Sequence, residues 1–274
     1  MSPEIIDGWK TPNLYGLLFI SGLVLGFYTI KRMFKIEQIQ EAILDKLVMY
    51  VVLATIIGAR LGHVFFYGPY YDYVDKCGVT HEGYIQHPSA IYKVWEGGLA
   101  SHGGAIALLI SLYIFSKKVS KKSLLWILDR IAAPIAIAAT FIRLGNLVNH
   151  EIVGDRTNVP WAFSFKNYYD DQLCMIDPTP RHPTQLYEAI CYLIIFAILM
   201  YFFWKKHEFN RPGFIFGLFL ILLFTVRFFV EFVKVGQTER DNTLFLNTGQ
   251  LLSIPFVLAG IYILWNSIKK SKIA

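Results

Sequence analysis

The chain has 274 residues, of which 55 % are hydrophobic, 16 % aromatic and only 17 % charged, with a formal net charge of +6. Charged residues make up about a quarter of an ordinary soluble domain, so this composition excludes a typical soluble fold and points to a polytopic membrane protein. The three cysteines, Cys77, Cys174 and Cys191, form no CxxC pair, which argues against a thiol redox centre and a zinc site.

A spanning helix needs roughly 20 mainly apolar residues. Seven segments qualify, in order 14–30, 47–67, 99–115, 124–142, 186–204, 213–233 and 249–268. The predicted fold is therefore all-α, one membrane domain over 1–274. The first segment does not read as a signal peptide: Glu4 and Asp7 stand where a basic region should be, and no small-residue cleavage site follows.

Lysine and arginine orient the chain. Lys31, Arg32, Lys35 and Lys46 follow helix 1, and Lys117, Lys118, Lys121 and Lys122 follow helix 3. Lys205, Lys206 and Arg211 follow helix 5, and Lys269, Lys270 and Lys272 follow helix 7. The opposite side has fewer cations over more chain: Lys10, Lys76, Lys93, Arg156, Lys166, Arg181, Lys234 and Arg240. The expected topology puts the N-terminus outside and the C-terminus in the cytoplasm, and it accounts for the basic balance without nucleic acid. The two long connections, 69–98 and 144–185, then lie outside. Ordered loops of that length are usually functional. Nothing in the sequence fixes the separation of Cys77 and Cys174, so the sequence does not tell whether they pair.

Four arginines remain inside helices: Arg60, Arg130, Arg143 and Arg227. Each costs roughly 2.5–3.5 kcal/mol on insertion scales, so such residues normally face protein or a wet cavity. Arg130 follows Asp129 near the cytoplasmic end, where snorkelling would satisfy it. Arg143 and Arg227 sit toward the outer ends of their helices, where topology gives no reason for them. Arg60 lies deeper in helix 2 and is counted among the substrate-binding candidates.

The polar clusters each carry a plain and a functional reading. In "WEGGLASHGG", His102 opens helix 3 among glycines, which serve either close packing or room for a ligand beside an imidazole able to carry a proton. In "RLGNLVNHEIVG", a continued helical turn would group Arg143, Asn146 and Asn149 on one face. That makes an anion site with a guanidinium fork; Glu151 follows, and Gly154 permits a tight turn. A helix cap with a polar loop explains parts of this cluster but not all of it. In "TVRFFVEFVK", Arg227 and Glu231 are spaced for an intrahelical ion pair or an anion site. In "RHPTQLYEAI", Pro183 precedes a helix, and Glu188 already lies within its apolar span. Neither GxSxG, HExxH nor a P-loop occurs, so hydrolytic and nucleotide-driven chemistry have no support.

These residues resemble the bacterial prolipoprotein diacylglyceryl transferases. The likeness runs through "LYGLLFISGLVLG", "GARLGHVFFY", "VWEGGLASHGG", "RLGNLVNHEIVG", "RHPTQLYE", "RFFVEF" and "GQLLSIPFVLAG", in that order. It implies an enzyme of the cytoplasmic membrane with its site toward the outer leaflet. Such an enzyme moves diacylglyceryl from phosphatidylglycerol to the lipobox cysteine thiol of a prolipoprotein signal peptide. The products are a thioether and glycerol phosphate, no cofactor or metal is needed, and this is the first step of lipoprotein maturation. The resemblance places the family's essential residues on His102, Arg143, Asn146, Gly154 and Arg227, and draws in Tyr15, Glu151, Glu188 and Glu231. Some members carry a tyrosine one turn before the helix 6 arginine, where this chain has Leu223 and Phe224, and arginine where it has Lys234.

The thiolate is the nucleophile, and Arg143 and Arg227 would stabilise charge on the departing phosphate. His102 or Glu151 would take the thiol proton, unless the site acts by electrostatics alone. The alternative class is a lipid or anion transporter. It would need polar groups reaching both membrane faces, and here they gather toward one.

Overall fold

The computed structural model describes residues 13–75, 77–94, 98–170, 173–205, 208–236 and 245–271. Glu4, Asp7, Lys10, Lys76, Glu96, Gly97, Lys206, Arg240 and Lys272, all used in the sequence reading, lie outside them.

The fold is all-α. The helices are α1 (Leu14–Ile36), α2 (Glu41–Phe66), α3 (Ser101–Phe115), α4 (Leu124–Val148), α5 (Thr184–Trp204), α6 (Phe214–Val230) and α7 (Thr248–Ser271). A π turn, Ser116–Ser120, prolongs α3, and a 3-10 turn, Glu231–Val233, prolongs α6. With those extensions seven helices among the described residues are long and apolar enough to cross a membrane. Several outrun the apolar stretch that marks them: α1 continues through Lys31, Arg32 and Lys35, and α4 continues past residue 142 to Val148. In hydrocarbon a backbone must satisfy its own polar groups, so a helix persists until water or side chains can take over. Pro134 in α4 and Pro255 in α7 are accommodated within the helices.

The described residues form two compact units. One comprises the described residues within Met1–Met33, Leu128–Asp170 and Ile176–Ala274; the other comprises those within Phe34–Ile127 and Asp171–Met175.

In the first unit Ala132, Ala133 and Ala136 of α4 pack with Ile195, Leu199 and Phe203 of α5 and Ile215 and Phe219 of α6. Lipid is as apolar as these side chains, so close van der Waals fit rather than water exclusion holds spanning helices together. Small residues provide that fit. A Cβ on Gly217 would lie 2.8 Å from the Leu264 nitrogen of α7, and one on Gly260 would lie 2.9 Å from the Gly217 carbonyl. Asp129 is fully buried and caps α6 from α4, accepting hydrogen bonds from the Gly213 and Phe216 amides at 2.7 and 2.8 Å. Arg130 therefore does not snorkel as expected. Its partner is held inside by the α6 cap, and the arginine is buried with it, Nη1 at 4.0 Å from Asp129 Oδ2.

In the second unit α2 and α3 approach through glycine: a Cβ on Gly62 would lie 2.7 Å from the Gly103 Cα. Beyond α2 the two-residue strands Tyr73–Val74 and Thr80–His81 pair antiparallel. Asp75 organises the turn between them, accepting from the Cys77 and Val79 amides and meeting His81 Nε2, each at 2.9 Å. This turn presents Cys77 to Cys174, and the two form a disulfide with Cα atoms 5.3 Å apart. Their pairing, which the sequence left open, is thus decided by the fold. The two are 97 residues apart in the chain, and only the folded connections make them neighbours.

The pairing makes a count. In denatured, unreduced protein a maleimide should label Cys191 alone, and all three cysteines after reduction. Mass spectrometry reads the difference, and three labels before reduction would exclude the bond.

Candidate active site

Polar side chains from α1, α4, α5 and the end of α6 meet within the first unit. Arg143, on the added turns of α4, anchors them. Its Nε lies 2.7 Å from Glu188 Oε2, and its Nη1 donates to Asn146 Oδ1 at 3.1 Å. Glu188 is fully buried, and its other oxygen accepts from the Tyr192 hydroxyl at 3.1 Å, one turn on along α5. Lys234 Nζ sits 3.8 Å from Glu188 and 3.5 Å from Glu231. The result is a chain of alternating charges, Arg143–Glu188–Lys234–Glu231, almost closed to solvent.

Glu151 completes the cluster. Asn146 Nδ2 donates to one carboxylate oxygen at 3.0 Å and Asn149 Nδ2 to the other at 3.1 Å. The segment carrying it is strained: His150 and Ile152, on either side, have φ of 60° and 56°. A left-handed β-branched residue is a true outlier, and each such residue costs on the order of 1–3 kcal/mol. Four contacts hold the turn. The Glu151 amide donates to the Asn146 carbonyl at 2.9 Å, and the Glu151 carbonyl accepts from Gln185 Nε2 at 2.6 Å. Thr184 Oγ1 donates to the Ile152 carbonyl, and His150 Nδ1 accepts from the Asn167 amide.

Gly154 has a different reason from the one its sequence suggested. It is not in the left-handed region. Its backbone bridges to Lys234, and a Cβ there would lie 2.6 Å from the His182 carbonyl and from the Val233 carbonyl. The glycine lets three segments stack closely and so sets where Lys234 enters. Tyr15 lies against Gly145, where a Cβ would meet its ring at 2.8 Å, and within electrostatic reach of Glu151 and Arg143.

Arg227 is half-buried on α6, and Arg143 and Arg227 both act electrostatically on Lys234. The intrahelical pair with Glu231, one of the two readings of that spacing, does not form; Glu231 turns to Lys234 instead. Among the described residues Arg227 has neither an ion pair nor a hydrogen-bond partner for its guanidinium. The other two cations of the cluster are matched by Glu188 and Glu231.

His102 and Arg60 belong to the second unit. His102 is exposed in the first turn of α3, with Nδ1 3.5 Å from the Tyr67 hydroxyl. Its neighbours Gly103 and Gly104 face α2 and allow close packing rather than clearing space. Arg60 is buried and occupied by backbone: Nε donates to the Ile91 carbonyl at 2.9 Å, Nη1 to Gly98 at 3.0 Å, and Nη2 to Ala90. This gives it a structural task that the sequence did not suggest. Lys234 and Tyr192 are the cluster members the sequence reading did not select. Lys234 looked like one more outer cation, and Tyr192 like core; only its spacing of four from Glu188 hinted otherwise.

With this geometry in view, similarity to known proteins is informative. The family model for prolipoprotein diacylglyceryl transferase matches residues 8–266. The chain belongs to that family. A phosphatidylglycerol–prolipoprotein diacylglyceryl transferase of Porphyromonas gingivalis is 44 % identical over 263 residues, covering 93 % of this chain and 88 % of the relative. One from Chloroherpeton thalassium is 40 % identical over 274 residues, covering 100 % and 95 %. One from Tolumonas auensis is 41 % identical over 256 residues, covering 93 % and 91 %.

A second polar network buttresses the connection between α4 and α5. Asp177 Oδ2 accepts from Arg181 Nη2 at 2.6 Å and from Arg156 Nη2 at 2.8 Å, while Oδ1 accepts from Thr179. The Thr179 hydroxyl first, then Arg181 and Arg156, hold the Asp177 carboxyl well below the usual carboxylate range. A carboxyl whose folded pKa is depressed stabilises fully above its unfolded value of about 3.9 and loses that contribution as pH falls toward the folded value. The melting temperature should therefore drop as pH is lowered from about 6 to 3, and Asp177→Asn should flatten that slope while lowering stability at neutral pH. An unchanged slope in the variant would remove Asp177 from the account.

Proposed function

We propose that this protein transfers the diacylglyceryl group of phosphatidylglycerol to the thiol of a lipobox cysteine at the end of a prolipoprotein signal peptide. It is a transferase acting at the start of lipoprotein maturation, as a multi-pass protein of the bacterial cytoplasmic membrane with its site toward the outer leaflet. The asymmetry of lysine and arginine supports that orientation. So does the Cys77–Cys174 disulfide in the connections beyond α2 and α4, because disulfides persist in oxidising, non-cytoplasmic compartments.

The observation that carries the reading is Arg227. A half-buried guanidinium on an apolar helix, with no ion pair among the described residues, stands beside a cluster whose other cations are matched. It suits a phosphate group that arrives with the lipid. In the reaction the thiolate sulfur bonds to the glyceryl carbon, the bond from that carbon to the phosphate oxygen breaks, and glycerol phosphate leaves with the electron pair. Arg227 takes the charge that develops on the phosphate, and Arg143, fixed between Glu188 and Asn146, adds a preorganised positive field. A charged donor of this kind in a dry site contributes several kcal/mol. His102 accepts the thiol proton, an exposed imidazole at the start of α3 being open to an arriving peptide; the strained turn presents Glu151 as the other acceptor.

The basic test is a lipobox peptide incubated with the protein and phosphatidylglycerol. Its mass should rise by one diacylglyceryl group as glycerol phosphate appears. Lipid binding without a mass change would favour a transporter.

Arg143→Lys keeps the charge but cannot reach Glu188 and Asn146 together. Loss of one charge-assisted hydrogen bond is worth about 1.5–3 kcal/mol, so turnover should fall roughly 10–100-fold. Near-full activity would mean that only a point charge matters there.

His102→Gln should slow single-turnover transfer with lipid binding nearly intact, and raising the pH should restore part of the rate because the thiol then ionises unaided. Weakened lipid binding without pH rescue would pass the base role to Glu151.

A further inference from the structure

An apolar groove of roughly 210 Å³ opens between α6 and α7, lined by Thr225, Phe228, Ser253, Ile254, Val257 and Leu258. Two of its residues flank Arg227 along α6. Of its two hydroxyl residues, the buried Ser253 turns its hydroxyl to the Gly249 carbonyl, donating at 2.7 Å. Gly249 in turn packs against the Glu231 carboxylate, so the first turn of α7 stands at the level of the charged cluster. From there the groove runs into the membrane. Ser253 and Leu258 lie five and ten residues beyond Thr248, or about 8 and 15 Å at 1.5 Å per residue. Half of a hydrocarbon core of about 30 Å is about 15 Å. The groove thus covers the deeper half of one leaflet, about 8 Å below the level of the charged cluster.

We propose that this groove seats one acyl chain of the donor lipid while Arg227 holds its phosphate. The inference rests on the function proposed above and names the part of that substrate the charged cluster does not read. Size excludes a helical occupant such as a signal peptide or a second copy, because a helix with its side chains is about 10–12 Å across; a single hydrocarbon chain fits. The groove works by shape. A chain gains no hydrophobic energy on leaving lipid neighbours for protein, so what the groove contributes is registration. With the phosphate at Arg227 and one chain along Ser253–Leu258, the glyceryl carbon between them has little freedom, and orientation of that kind lowers reaction barriers.

Val257 stands near the deep end of the groove. Val257→Trp should obstruct a long chain but not one that ends above it. Measured with dipalmitoyl and dioctanoyl phosphatidylglycerol, the long-to-short ratio of kcat/KM should fall roughly tenfold, the scale of an overpacked site. Val257→Ala should leave the ratio at or above the wild-type value. If Val257→Trp is inactive with both lipids, Val257→Met decides, and its ratio must also fall. In a variant that keeps activity, an unchanged ratio, which is an equal loss with both lipids, overturns the proposal. A binding readout separates this from failure of the reaction itself. Phosphatidylglycerol with a mid-chain diazirine should crosslink between Ser253 and Leu258 in preference to the lipid-facing Tyr262 and Trp265, whether or not transfer occurs. Even labelling along α7, or crosslinking of the lipobox peptide in the groove, would overturn the seat; absence of transfer with preferential labelling would overturn only the reaction.

Discussion

The rest of the structure depends on one contact, the ion pair between Arg143 and the fully buried Glu188 at 2.7 Å. Either charge alone, carried into an apolar helix bundle, would be strongly unfavourable, and removing one partner of such a pair typically costs about 3–5 kcal/mol. Everything near the pair answers this demand. Tyr192 donates to the second oxygen of Glu188, Asn146 accepts from the guanidinium, and Lys234 brings a second cation that Glu231 balances. A buried pair of this kind contributes little net stability, since desolvation offsets most of the attraction. It contributes position: with each charge held by several partners, little reorganisation remains when a substrate charge arrives.

Two further devices keep the cluster in register. The first is close packing through small residues, which makes α6 and α7 approach at Gly217 and Gly260 and lets the Gly154 segment lie between His182 and Val233. The second is local strain. A turn that places His150 and Ile152 in the left-handed region would relax in isolation, but bonds from Asn167, Thr184 and Gln185 hold it. The energy stored there fixes the direction of Glu151. Asp177 with its two arginines and Thr179 steadies the same connection.

The division of labour among the charges follows. Arg143 has its guanidinium engaged on two edges and sets the frame, whereas Arg227 has no protein counter-ion among the described residues. The amino-acid types alone would have assigned them equal roles.

Much was legible in the sequence because it depends on properties local to the chain. Apolar runs of membrane length determined the seven long helices found among the described residues. Ordered motifs identified the family, and the spacing of Arg143 and Asn146 placed both on one helical face, where they do bond. What depends on neighbours distant in the chain was decided only by the tertiary structure. The Arg227–Glu231 spacing allows an ion pair, yet Glu231 faces Lys234 because the chain turns there after α6. Arg60 could have served a ligand or the backbone, and the carbonyls of Ala90, Ile91 and Gly98 claim it. Cys77 and Cys174 carry no mark of each other, and the folded connections join them. The physical reason is the same in each case: hydropathy and helical period act over a few residues, whereas the partner of a buried charge or thiol is chosen by which surfaces packing brings together.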